Sequence, residues 1–337
     1  MISNCRGLEQ TAEGDFVMSC ARVLKRIGLT TVVLALAASM TGCGGGQPAV
    51  DSKPKVALIM KSLANEFFHT MQEGARSHQN AHYQDYDLIA NGIKDELDVS
   101  KQIELVEQMA AQKVSAIVIA PADSKALVSV CKKAQDAGIV VVNIDNKLDE
   151  AVLAEKNAKI PFVGPNNREG ARKAGDYLGL RLRPSSAVAI VEGVPTAFNA
   201  IQRKLGFEDS MKKAGMNIAA SQSAGWEMDK ANQVTTAILA EHPDIQGILC
   251  ANDSMALGAL AALKAAGRAG HVQVVGFDNI SAVHALVGSG EILATVDQHG
   301  DKLAVYGIEY ALEMLHNKSV PADKETPVDL ITADNFH

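Results

Sequence analysis

The stretch Leu127-Val128-Ser129-Val130-Cys131-Lys132-Lys133-Ala134-Gln135-Asp136-Ala137-Gly138-Ile139-Val140-Val141-Val142-Asn143-Ile144-Asp145-Asn146 contains the unit from which this chain is built. Leu127, Val130, Ala134 and Ala137 recur at helical spacing and so share one face of an amphipathic helix. Gly138 follows where a helix stop favours a left-handed residue. Ile139 to Ile144 is then an apolar run of strand length, ended by Asp145 and Asn146. A strand that is apolar on successive residues is buried on both faces, as in parallel sheets covered by helices.

The same unit extends in both directions. Val56 to Met60, Asp87 to Ala90 and Ala116 to Ala120 precede it. Pro161 to Gly164, Ala187 to Val191, Asn217 to Ala220, Gly247 to Cys250, Val272 to Phe277 and Ile292 to Val296 follow, at intervals of about 20 to 30 residues. Between them lie further helical patterns such as Val305, Ile308, Leu312 and Leu315, and helix stops at Ala214-Gly215 and Ala266-Gly267. This alternation predicts an α/β chain with doubly wound parallel sheets. Ten such runs are too many for one sheet of this kind, so two lobes of about five strands each are expected, with the change near Lys156 to Pro165.

Upstream, Met18 to Cys43 reads as an export signal. Arg22, Lys25 and Arg26 lead into the apolar run Ile27 to Ala38, which is too short for a permanent membrane span. Ser39-Met40-Thr41-Gly42-Cys43 then offers small residues before a cysteine, the pattern of lipoprotein cleavage and acylation at Cys43. Residues 1–42 are expected to be removed, with Met18 as the true start, and residues 43–54, rich in Gly, to form a flexible tether. Cleavage after residue 42 leaves 295 of the 337 residues and, by removing Arg6, Arg22, Lys25 and Arg26 with Glu9, Glu13 and Asp15, takes the net charge from -7 to -8. An acidic, monomeric, extracytoplasmic body held to the membrane through lipid alone is expected, with no nucleic-acid partner.

In open parallel sheets the ligand crevice lies beyond the carboxyl ends of the strands. Those positions hold Lys61, Asn65, Phe67 and Phe68 after the first strand, Asp145 and Asn146 after the fourth, then Asn167, Asn199, Trp226, Asn252, Asp278 and Gln298. Carboxylates and amides that exchange hydrogen bonds with hydroxyls, beside a few flat rings, suit a polyhydroxylated ligand. Only 4% of the chain is aromatic, yet Phe67, Phe68 and the sole Trp, Trp226, fall at these places. Asn65, Asn166, Asn252 and Asp123 also precede helical patterns, where each can cap a helix; Asp145 and Asp278 follow apolar strands, where an unpaired carboxylate is costly.

No phosphate-binding loop or nucleophile elbow is present, and no cofactor is implied. The nine histidines lack metal-ligand spacing, with His69, His78 and His82 expected on a solvated helix face. Cys131 and Cys250 read as small buried residues. Asp145 and Asp278 would serve an enzyme only as a glycosidase pair.

The runs Ser62-Leu63-Ala64-Asn65-Glu66-Phe67-Phe68, Val141-Val142-Asn143-Ile144-Asp145, Ala251-Asn252-Asp253-Ser254-Met255-Ala256-Leu257-Gly258-Ala259 and Val274-Val275-Gly276-Phe277-Asp278 resemble the ribose-type periplasmic sugar-binding proteins of ABC importers, over about residues 55 to 331. Sugar-responsive repressors share this core behind a DNA-binding head; here an export signal stands in that place. The resemblance implies the type I periplasmic binding protein fold: two lobes joined by a three-crossing hinge, one of residues 54–165 plus 299–327, the other of 166–298 plus 328–337. It implies capture of a monosaccharide or polyol between them without chemistry, and delivery to a permease with its ATPase; the alternative is a sensor that signals to a chemoreceptor or histidine kinase. Departures concern the substrate. Asn146 stands where ribose binders carry Arg, Lys61 where they carry a small hydroxyl residue, and their ligand-binding Arg falls on Ile201, leaving Arg203. Another pentose, a hexose or a polyol therefore fits as well as ribose.

Overall fold

The computed structural model describes residues 53–335. The export signal, Cys43 and the tether as far as residue 52 lie outside the described residues. The first lobe is laid down as β1 (Lys55–Ser62), α1 (Glu66–Ala81), β2 (Asp87–Ile93), α2 (Val99–Ala111), β3 (Ala116–Ile119), α3 (Val128–Asp136), β4 (Val140–Ile144), α4 (Glu150–Glu155) and β5 (Phe162–Pro165). The second follows as α5 (Asn167–Gly179), β6 (Ala187–Glu192), α6 (Phe198–Lys213), β7 (Asn217–Ser223), α7 (Met228–Glu241), β8 (Ile245–Cys250), α8 (Asp253–Ala265), β9 (Gln273–Val275), α9 (Ser281–Ser289) and β10 (Ala294–Asp297). The chain returns to the first lobe with α10 (Gly300–Asn317) and β11 (Lys324–Thr326), and ends in the second with β12 (Asp329–Thr332).

Two six-stranded sheets result, in the orders β11-β5-β4-β3-β1-β2 and β12-β10-β9-β8-β6-β7. The chain passes between them three times: after β5, after β10 and between β11 and β12. Every pairing is parallel except that of β12 with β10, an antiparallel edge that the expectation of parallel sheets did not include.

The apolar strands explain the layers. Along β1, Val56, Leu58 and Met60 belong to one core, and Ala57 and Ile59 to another on the opposite face. The first of these cores includes Met71 of α1 and Ile308 of α10; the second includes Met109 of α2 and Cys131 of α3. Cys131 and Cys250 are both free and buried. Helices stop where the sequence put glycine: Gly138, Gly215 and Gly267 all have positive φ. Asn65, Asn166 and Asn252 each cap a helix, and Asp123 Oδ1 accepts from the N–H groups of Lys125 and Ala126. His78 departs from the solvated face expected for it. Its side chain is only 14% exposed, stacks on His82 and hydrogen-bonds the hydroxyl of buried Tyr86. No helix among the described residues is long and apolar enough to cross a membrane.

Candidate functional site

The carboxyl ends of both sheets face each other across a cleft. Lys61, Asn65, Phe67, Phe68, Asp145, Asn199, Arg203, Trp226, Asn252, Asp278 and Gln298 line a small cavity there, together with Glu96, which the sequence reading missed. Glu96 lies in the loop after β2, at another strand end, so the rule that selected the others would have found it. Asn146 and Asn167 do not reach the wall. The Asn146 amide is used up: Nδ2 donates to the Pro121 carbonyl at 2.8 Å, and Oδ1 accepts from Asn199 N at 3.1 Å. Asn167 sits behind Arg203, its Oδ1 accepting from Arg203 Nε at 2.8 Å. Ile201 is 45% exposed, so the arginine entering the cleft is Arg203, two residues further along α6 and pointing inward.

Two ion pairs organise the walls. Lys61 Nζ lies 3.1 Å from Asp145 Oδ2, both buried, at an angle that forms no hydrogen bond, so this oxygen keeps an attraction but no donor. Arg203 Nη1 lies 3.3 Å from Asp278 Oδ1 and donates to the Ala251 carbonyl at 2.8 Å. Its guanidinium stacks 3.7 Å from the centre of the Phe277 ring. Gln298 Nε2 also donates to Asp278 Oδ1, at 2.6 Å. Lys61 Nζ stands 5.4 Å from the Phe68 ring and 5.6 Å from that of Trp226, so both aromatics meet a cation as well as the cavity.

The backbone is bent to aim these groups. Asp145 (φ 62), Trp226 (φ 74) and Asp278 (φ 117) hold positive φ without being glycine, a cost that tightly constrained functional positions carry. Asp253 supports the Asp278 segment from behind: its carboxylate accepts from Ile280 N at 3.1 Å and from Thr295 Oγ1 at 2.8 and 2.9 Å. Gly193 gives Trp226 its room, since a Cβ there would sit 2.2 Å from the ring.

Burial raises the Glu96 carboxyl to about 7, against the pull of Lys61. Asp278 is likewise raised to about 7 by burial, against Arg203. Burial lowers Arg203 from its ordinary value, opposed by Asp278 and Asp145. In the unfolded chain Glu96 and Asp278 lose their protons near pH 4 to 5, whereas the fold keeps them to about 7. The folded state thus binds more protons across that window, and its stability falls as pH rises through it. Glu96→Gln, neutral throughout, should flatten the decline in urea midpoint between pH 5 and pH 8; a decline as steep as that of the parent would contradict this reading of Glu96.

Two hinged α/β lobes around a polar, aromatic-walled cavity define a solute-binding protein. Residues 56–319 match the periplasmic binding protein domain, and the chain belongs to this family, in its ribose-type sugar-binding branch. It is 52% identical to the D-ribose/D-allose-binding protein of Pseudomonas aeruginosa, across 93% of this chain and 99% of that protein. Among solved structures, an ABC transporter solute-binding protein from Burkholderia multivorans, whose unknown ligand was built as α-D-erythrofuranose, is similar at 56% identity with a TM-score of 0.82, covering 83% of this chain and 99% of that one. A periplasmic solute-binding protein from Actinobacillus succinogenes with bound D-allose is similar at 36% identity with a TM-score of 0.79, covering 84% and 98%.

Proposed function

We propose that this chain is an extracytoplasmic solute-binding protein, anchored by lipid at Cys43, that closes on a neutral aldose and presents it to an ABC permease and its ATPase. One observation carries the ligand class. Of the cavity-lining residues, Glu96 Oε2, Asp145 Oδ2 and Gln298 Oε1 are buried acceptors with no hydrogen-bond donor among the described residues. For Glu96 Oε2 and Gln298 Oε1 an unmet acceptor costs about 1 to 3 kcal/mol unless a donor arrives, while Asp145 Oδ2 has the attraction of Lys61 but no hydrogen bond. Three acceptors spread around one small cavity call for a guest with several hydroxyls, and Phe67, Phe68 and Trp226 supply flat walls for its C–H faces.

Relatives named for D-ribose and D-allose, or holding D-allose, narrow the class. These sugars share an unbroken run of hydroxyls of one configuration, allose adding one carbon to ribose. That run is the reading we favour. The relatives reported are binding proteins, and both cleft aspartates are held by cations, which supports capture without chemistry. A thermal-shift screen of the mature protein against aldoses and polyols should show its largest rise with D-allose or D-ribose, because a ligand bound only by the folded state raises the melting temperature. A screen in which neither shifts the protein while an acidic or apolar compound does would reject the assignment.

A further inference from the structure

A helix that starts without a side-chain cap leaves its first N–H groups to water or to another part of the molecule. In this protein α1, α2, α4, α5 and α8 are capped by the residue before them. Helices α3, α6, α7, α9 and α10 have no side-chain cap from the preceding residue. Of these, α6 and α9, both in the second lobe, begin against the first lobe, with Ala197 and Ile280 at their cap positions supplying no side-chain acceptor. Their leading N–H groups are taken instead by side chains of the first lobe. Ser124 Oγ accepts from Phe198 N at 2.9 Å, and Asn146 Oδ1 accepts from Asn199 N at 3.1 Å. On α9, the Glu66 carboxylate accepts from Ser281 N at 2.7 Å and Ala282 N at 3.4 Å.

We propose that these two cross-lobe caps are the latch of the closed state: the first lobe carries the acceptors that α6 and α9 lack, so the capping of these two helices is completed only when the lobes are shut. The proposal rests on the reading that the closed lobes trap a sugar. Neither Glu66 nor Ser124 lines the cavity, so both act as positioning residues through the open–closed equilibrium. Apparent affinity scales with the population of the competent state, so removing a cap weakens binding without removing a ligand contact. Glu66 adds a charge effect, because a carboxylate at a helix N-terminus is favoured by the helix dipole and screened by salt. Ser124, being neutral, carries no such salt dependence. The orphaned role of Asn146 is explained at the same time: it is part of the latch and not of the ligand shell.

The test compares Glu66→Ala, Ser124→Ala and the double variant with the parent, titrated with D-allose and D-ribose, with dissociation rates and small-angle scattering recorded. Loss of one helix cap corresponds to about two- to thirtyfold in an equilibrium. Each single variant is therefore expected to bind about fivefold more weakly, and the double about 25-fold, since separated sites add. The change should fall mainly on the dissociation rate, with the urea midpoint of the sugar-free protein unmoved. Glu66→Gln, which keeps an acceptor oxygen, should recover part of the loss, and only the Glu66 contribution should shrink in high salt. Unchanged affinity in the double variant, or a fall in the urea midpoint with no change in dissociation, overturns the latch. If the parent binds neither sugar, the functional reading fails instead, and the latch is then decided by scattering: a double variant no more open than the parent overturns it, and a more open one supports it.

Discussion

Arg203→Met should abolish measurable sugar binding and lower the melting temperature by about 10 °C. Arg203 is 2% exposed, and its guanidinium is spent on Asn167, the Ala251 carbonyl, Asp278 and the face of Phe277. Methionine preserves much of the stem but leaves Asp278 buried without its cation. Breaking a buried ion pair on one side costs about 3 to 5 kcal/mol, and at about 2 to 4 °C per kcal/mol for a body of this size the melting temperature moves by the amount stated. Asp278 can offset part of this by holding its proton, so the deficit should be larger at pH 8 than at pH 6. Calorimetric scans at the two pH values check it. A variant that melts with the parent at pH 8 would mean that Arg203 does not carry the pairing.

Asp278→Ala is the complementary case, with its largest effect on affinity. Its carboxylate is the meeting point of Arg203 and Gln298 and stands on the cavity wall. Removing a buried charged acceptor typically costs 1.5 to 3 kcal/mol or more, so sugar affinity should fall about ten- to hundredfold or beyond. The fold loses stability as well, because Arg203 is left buried without its partner carboxylate, but Arg203 keeps its bonds to Ala251 and Asn167 and burial already penalises ionisation of Asp278. A titration in which Asp278→Ala binds like the parent would remove Asp278 from the ligand shell. The two variants together would separate a wall-supporting role of Arg203 from a ligand-facing one of Asp278.

Much of this was legible in the sequence because a parallel sheet concentrates its polar side chains beyond its strand ends. Asp145 and Asp278 stood out for that reason, each following a largely apolar strand. What escaped depended on tertiary placement. Asn146 follows Asp145 directly, yet its amide turns to α6 of the opposite lobe, and nothing local reveals which helix that is. Asn167 is a strand-end residue whose partner is an arginine 36 positions away. Ile201 and Arg203 lie two apart on one helix and so point in different directions, a distinction that spacing along a motif does not make. Glu96 is different: it sits at a strand end, within reach of the rule that selected the others, but in an irregular loop without an aromatic neighbour to mark it. β11 is Lys324–Thr326, short and polar, and carries no apolar signal of a strand; its pairing with β5 comes from the return of the chain after α10.

On the proposed function, two hinged lobes enclose a neutral aldose whose hydroxyls satisfy the acceptors of Glu96, Asp145 and Gln298. Isothermal titration of the mature protein with D-allose and with D-ribose, using Asp278→Ala as the control, addresses it most directly. One site per chain is expected, with a dissociation constant of about 1 μM or tighter, equivalent to about 8 kcal/mol, for at least one of the two sugars, and much weaker binding by the control. Heat absent from both sugars, or equal heat from parent and control, would contradict it.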